Sequence, residues 1–314
     1  MSARRSALHA GAAGLGRLVR AQPIDRVPLG GMVDLPGRGS TYVTDSGGPD
    51  SPDGDGGKPA LILLHSVTTT GQLCWYPSIP ALAEHFRVIT LDQRWHGRGI
   101  LSDEFHLDDC ADDVAALADV LDLDHFAVAG FSMGGGVAQL VAHRHADRTS
   151  AMVLCSTGPF FSGHPDSERP PGRGETMFTR LTHKHQPKLI VPTNHAALDD
   201  LSVPPGVWGA RQFRSTPFSR YRLLNNGLNE FDSRDWLGTL NVPTAVCVST
   251  RDRTVAPSRQ QLLVDGIPGA RRFDVDAGHA CCVMQPGKFV PTFVEACRNV
   301  VPAEATRMPP STAH

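Results

Sequence analysis

A serine set between two glycines constrains this 314-residue chain more than any other feature. It lies in Val128-Ala129-Gly130-Phe131-Ser132-Met133-Gly134-Gly135-Gly136, after a short apolar run at 126–129 and before the segment 137–142. The run reads as a buried strand and the segment as the start of a helix. A strand that turns sharply into a helix brings backbone against backbone, and only residues without a Cβ fit at the two flanking positions. Such a turn lifts the Ser132 hydroxyl to the top of a sheet, at the positive end of the following helix, where developing negative charge is favoured. A glycine-rich turn with an incidental serine is the competing reading of the pentapeptide alone. The rest of the chain must therefore supply a base, an acid and an oxyanion hole.

Short apolar strands alternate with helical patterns along most of the chain. Strands are expected at 39–45, 60–64, 87–91, 126–129, 151–155, 244–249 and 271–275, and helices at 75–85, 107–121, from 137, at 259–264 and at 289–300. This rhythm predicts an α/β fold with a doubly wound, mostly parallel sheet. The acids of 107–121 (Asp108, Asp109, Asp112, Asp113 and Asp119) read as a solvated helix face and not as a metal site. At Pro159 the rhythm stops, and up to 235 the chain is rich in prolines, with basic and histidine residues such as His183-Lys184-His185 and a short helical pattern at 177–182. That stretch reads as an insertion. The expected organisation is a flexible leader at 1–27, a core formed by 28–158 and 236–301, an insertion at 159–235 and a disordered tail at 302–314.

Composition excludes some function classes. A net charge of −2 with 30 basic and 32 acidic residues leaves no electrostatic footprint for nucleic acid. No window approaches the ~18 apolar residues of a membrane span, so stable membrane insertion is not expected. Arg4 and Arg5 precede no hydrophobic segment of the kind a secretory signal needs. The seven cysteines are odd in number and scattered, without C-x-x-C spacing. They read as reduced thiols of a cytoplasmic protein, with neither a disulfide framework nor a zinc site. His183, His185 and His195 have no carboxylate or cysteine at ligand spacing, so no metal is expected.

A serine hydroxyl needs a base to take its proton and a carboxylate to hold that base in the right tautomer. In an open parallel sheet such groups collect beyond the carboxyl ends of strands. After 244–249 comes Asp252, and after 271–275 comes Asp276-Ala277-Gly278-His279. His279 alone among the fourteen histidines follows a terminal strand with a glycine before it. Asp276 competes with Asp252 for the acid but lies close in sequence to His279; Asp232 and Asp235 precede a strand, at the wrong edge.

With Leu63-Leu64-His65, Asp92-Gln93-Arg94 with His96-Gly97, Gly130-Phe131-Ser132-Met133-Gly134, Asp252 with Val255 and Pro257, and Gly278-His279 in this order, the chain resembles an α/β-hydrolase fold serine hydrolase of the esterase or lipase kind over about 38–298. The resemblance implies Ser132 as nucleophile, Asp252 as acid and His279 as base. It also implies an oxyanion hole from the backbone N–H of Met133 and of Val67, and a helical cap at 159–235. Two positions depart from the family pattern: Ser66 and Trp95 stand where glycine is usual. Ser66, Trp95 and Phe131 are the expected substrate-binding residues, with core filling the other reading of Trp95. The function so implied is hydrolysis of a carboxylic ester of a small to medium, apolar substrate through an acyl enzyme, with no cofactor. A cofactor-free perhydrolase, a C–C bond hydrolase and a non-catalytic ligand-binding member of the fold are the alternatives. A small molecule is the expected partner; nothing in the sequence reports the oligomeric state.

Overall fold

A computed structural model describes residues 23–47, 57–161, 195–216 and 221–302. Among the described residues eight strands form one sheet in the order β1-β2-β4-β3-β5-β6-β7-β8: β1 Gly31–Leu35, β2 Gly39–Asp45, β3 Ala60–Leu64, β4 Arg87–Leu91, β5 Phe126–Phe131, β6 Thr149–Cys155, β7 Thr244–Ser249 and β8 Arg271–Val275. β2 runs antiparallel to β1 and β4, and the strands from β4 to β8 are parallel. The chain winds from β3 outward to β4, then returns to place β5 on the other side of β3. The carboxyl ends of β3 and β5 thus flank the switch point, where open α/β sheets hold their ligands.

Both faces of the central strands are covered, which explains their continuous apolar runs. Ile62, Leu64, Val128, Met152 and Val246 point to one face and pack with α3 (Leu107–Val120) and α4 (Met133–Arg144). Leu61, Leu63, Ala127, Ala129, Phe131 and Val153 point to the other. There they meet Trp75 of α1 (Gly71–Trp75), Leu82 of α2 (Ile79–Ala83), and Phe289 and Phe293 of α9 (Pro286–Val300). Between these elements lie α5 (Pro205–Arg214), α6 (Tyr221–Glu230), α7 (Pro257–Gly266) and α8 (Cys281–Met284). All seven cysteines are buried free thiols. Among the described residues no helix is long and apolar enough to cross a membrane.

Four expectations need correction. The helix expected at 75–85 is two short ones, because Pro77 interrupts the turn and Pro80 is tolerated only in the first turn of α2. β1 has no sequence counterpart, since it is a mostly exposed edge strand without a hydrophobic run. Asp113 does not belong to a solvated face: it is 3 % exposed and accepts hydrogen bonds from Arg94 (2.6 and 2.9 Å) and from Arg38. That ion pair fastens the loop after β4 onto α3. Of the leader expected at 1–27, Ile24 and Val27 are buried with Leu73, Tyr76 and Trp208, so residues 24–27 are docked. The helical pattern at 177–182, His183 and His185 fall outside the described residues.

The two ends of the insertion between β6 and β7 pair with each other, and its described middle is bonded to the core. Phe160 and Asp232 pair as an antiparallel bridge near its start and finish. Deeper in, Trp208 of α5 packs edge-on against Tyr76, and Thr70 Oγ1 donates to Gln212 Oε1 at 2.7 Å. Arg98 reaches Asp199 at 2.7 Å and Gln72 at 2.9 Å.

Candidate active site

The turn from β5 into α4 adopts the conformation that its glycines permit. Ser132 sits at φ 53°, ψ −116°, a left-handed value unusual for a residue with a side chain. A Cβ on Gly130 would overlap the Gly134 carbonyl, and one on Gly134 would overlap the Leu64 carbonyl at the end of β3. The strained backbone is held by bonds on both sides. Ser132 N–H donates to the Cys155 carbonyl at 2.9 Å, and the Ser132 carbonyl accepts from Gly135 N–H and from Thr157 Oγ1, each at 2.8 Å.

Three side chains converge at the ends of β5, β7 and β8. Ser132 Oγ lies 2.9 Å from His279 Nε2, and His279 Nδ1 lies 2.7 Å from Asp252 Oδ2. A carboxylate oxygen only accepts, so Nδ1 carries the imidazole proton and the Nε2 lone pair faces the serine hydroxyl. Asp252 is buried, and its Oδ1 accepts the backbone N–H groups of Thr254 (2.8 Å) and Val255 (3.0 Å). Asp276, the rival acid, is exposed and bonded to Arg251 and Lys288. The Phe131 ring lies 5.7 Å from the His279 ring and packs below it against Trp75 and Phe289.

The loop after β3 approaches the same point. His65 is buried, and burial, reinforced by neighbouring His96, drives its basicity well below the usual histidine range, so it is neutral. Its Nε2 accepts the Gln93 N–H at 2.8 Å, while Nδ1–H donates to the Ser66 carbonyl at 2.8 Å. That carbonyl also accepts from Thr69 N–H (3.3 Å) and Thr69 Oγ1 (2.8 Å). Carbonyl and N–H of a trans peptide point in opposite directions. The Val67 N–H therefore points away from all three donors, off the loop's internal bonds. Met133 opens α4, where backbone N–H groups have no intrahelical acceptor. The overlap that a Gly134 Cβ would make with Leu64 shows how closely this helix start abuts the loop.

The two departures from the expected glycines turn out differently. Ser66 has no left-handed φ, so its side chain brings no backbone strain. Trp95 does, at φ 65°, which is why glycine would suit the position. Its indole is 1 % exposed, lies 5.4 Å from the Phe105 ring and donates Nε1–H to the Ser102 carbonyl at 3.0 Å. Core filling is thus the role in which the structure places Trp95. Phe131 is equally buried, and Ser66 is half-buried. Sequence reading passes over Thr157 and Gln260, which hold the Ser132 carbonyl and the Asp252 carboxylate; a lone polar residue near a strand end carries no signal of its partner.

Comparison with known proteins agrees with this architecture. The family described as "alpha/beta hydrolase fold" matches residues 59–283. The 3-oxoadipate enol-lactonase 1 of Acinetobacter baylyi is 21% identical over 262 residues, covering 82% of this chain and 92% of that protein. The pimeloyl-[acyl-carrier protein] methyl ester esterase of Aeromonas hydrophila is 26% identical over 253 residues, covering 74% and 92%. Among solved structures, an esterase from Exiguobacterium antarcticum superposes with a TM-score of 0.67 at 20% identity, over 86% of this chain and 100% of that one. With the sheet order, the turn at Ser132 and a family match over 59–283 in agreement, the chain belongs to the α/β-hydrolase fold family.

Proposed function

We propose that this protein is a serine hydrolase that cleaves a carboxylic ester of a small to medium, apolar substrate through an acyl enzyme. The observation that carries this reading is the continuous bond chain Ser132 Oγ–His279 Nε2, His279 Nδ1–Asp252 Oδ2 at 2.9 and 2.7 Å. His279 takes the Ser132 proton as Oγ attacks the acyl carbonyl, and Asp252 stabilises the imidazolium that forms. The oxyanion is received by the Met133 and Val67 N–H groups; donors of this kind are each worth about 3 kcal/mol in the transition state. His279 then protonates the leaving alkoxide, and a water activated by the same imidazole releases the acid. The insertion, whose described part bonds through Gln212 to Thr70 in the loop after β3, acts as a cap that excludes water and shapes the acyl site. The enol-lactonase and methyl ester esterase names of two relatives agree with ester chemistry.

Hydrolysis of p-nitrophenyl esters of graded acyl length tests the reading. Short and medium esters are turned over, and Ser132→Ala abolishes that turnover. Ester turnover that survives Ser132→Ala would overturn it.

A further inference from the structure

We propose that Gln260 is a positioning residue for the acid, holding the Asp252 carboxylate against His279. The inference rests on the serine-hydrolase reading above. Asp252 lies on the connection between β7 and α7, and a loop does not by itself fix a side chain to the ~0.5 Å that a catalytic constellation needs. The two backbone N–H groups of Thr254 and Val255 hold only Oδ1. The oxygen that meets His279 is Oδ2, and among the described residues its other bond comes from Gln260 Nε2, at 3.3 Å.

Gln260 lies in the first turns of α7 and is fully buried. Its second Nε2 proton goes to the Val255 carbonyl at 2.8 Å, and its Oε1 accepts the Ser249 N–H at 3.0 Å. These partners fix which end of the amide is which, because Ser249 N–H can only donate while the carbonyl and carboxylate only accept. One neutral amide thus joins the end of β7, the far side of the acid loop and the carboxylate itself, with both of its protons used. No other side chain of that size satisfies all three partners. Glutamate would set an oxygen against two acceptors, and methionine would fill the space while leaving Ser249 N–H and Oδ2 without partners. Without the Nε2 bond Oδ2 keeps the imidazole alone as partner, the carboxylate can tilt about its pinned Oδ1, and the imidazole is held less closely in its orientation. Gln260 does not touch the reacting atoms, so its loss acts on turnover and not on substrate affinity.

The test uses the full chain, p-nitrophenyl acetate, and active sites titrated with a fluorophosphonate. Gln260→Met and Gln260→Glu are made in the wild-type and in the Asp252→Asn background. Expected for Gln260→Met is a kcat per titrated site lower by about tenfold, the range seen when a hydrogen-bonded support of a functional ligand is removed, with KM within about twofold. Gln260→Glu falls further. In the Asp252→Asn background Gln260→Met changes kcat by less than about twofold, because the interaction it serves is already gone. An equal drop in both backgrounds, or unchanged kcat in both variants, overturns the proposal. Should Gln260→Met fail to fold, Gln260→Glu keeps the volume and the Ser249 bond and carries the same comparison. Wild-type protein that takes no label at Ser132 overturns the hydrolase reading and Gln260's role with it; labelled wild type with unaffected variants overturns Gln260 alone.

Discussion

Asp252 and His279 meet through one carboxylate oxygen at 2.7 Å, while the other oxygen is occupied by two backbone N–H groups. The division turns Oδ2 toward the imidazole, with Gln260 Nε2 as the second partner of that oxygen at 3.3 Å. Asp252→Asn offers an N–H or a weaker acceptor there and admits the wrong imidazole tautomer. A fall in kcat of about 10⁴-fold with little change in KM is expected. Steady-state kinetics beside a thermal melt check it, and near-normal turnover would move the acid role elsewhere.

Trp95 pairs a left-handed backbone with a fully buried indole, so its two contributions oppose one another. Removing the side chain costs about 3–5 kcal/mol in lost packing. The backbone strain, about 1 kcal/mol, is relieved by glycine and retained by alanine. Trp95→Ala is therefore expected to be less stable than Trp95→Gly by about 1 kcal/mol, the reverse of the order on an ordinary extended or helical backbone. Urea denaturation of both variants measures the difference.

Gly134 abuts the Leu64 carbonyl, a backbone atom that cannot rotate aside. Gly134→Ala must push α4 away from β3, at a cost of about 1–3 kcal/mol or more. It also separates Met133 from the loop of Val67. Ester turnover is expected to fall far more than the melting temperature alone would explain, whereas Gly31→Ala, with nothing within 4 Å of the added Cβ, should be close to neutral in packing.

His96 gives the fold a pH dependence of known sign. Burial lowers its pKa from 6.5 to about 4. Between those values the unfolded chain binds a proton that the folded chain refuses, so stability is full at neutral pH and is lost as pH falls through the window. The difference amounts to something on the order of 3 kcal/mol. Neighbouring His65, 5.1 Å away ring to ring, shifts in the same direction. Unfolding free energies at about pH 7.5 and pH 4.5 should fall more for the wild type than for His96→Gln. Equal slopes would contradict the burial argument.

Much of this was legible in the residues. Buried strands announce themselves as apolar runs because both faces are covered, and strand order alone places Asp252 and His279 at the same edge as Ser132. What escaped had physical reasons. β1 is an exposed edge strand, so no hydrophobic run marks it. Asp113 shares a helix with exposed acids, and only the arrival of Arg38 and Arg94 from distant segments distinguishes it. Trp95 stands out in the sequence as a missing glycine, but only the fold shows that the tryptophan keeps the left-handed backbone and buries its indole. Gln260 is silent for a related reason: its three partners come from a strand end, a loop and a carboxylate that only the fold assembles.

The proposed hydrolase depends above all on Ser132 acting as the nucleophile. Incubation with a fluorophosphonate, digestion and mass spectrometry of the peptide containing Gly130-Phe131-Ser132-Met133-Gly134 test it most directly. One phosphonyl adduct is expected, on Ser132, formed with loss of ester turnover in the same proportion and absent from Ser132→Ala. An unlabelled protein, or an adduct on another residue that tracks the loss of turnover, would contradict it.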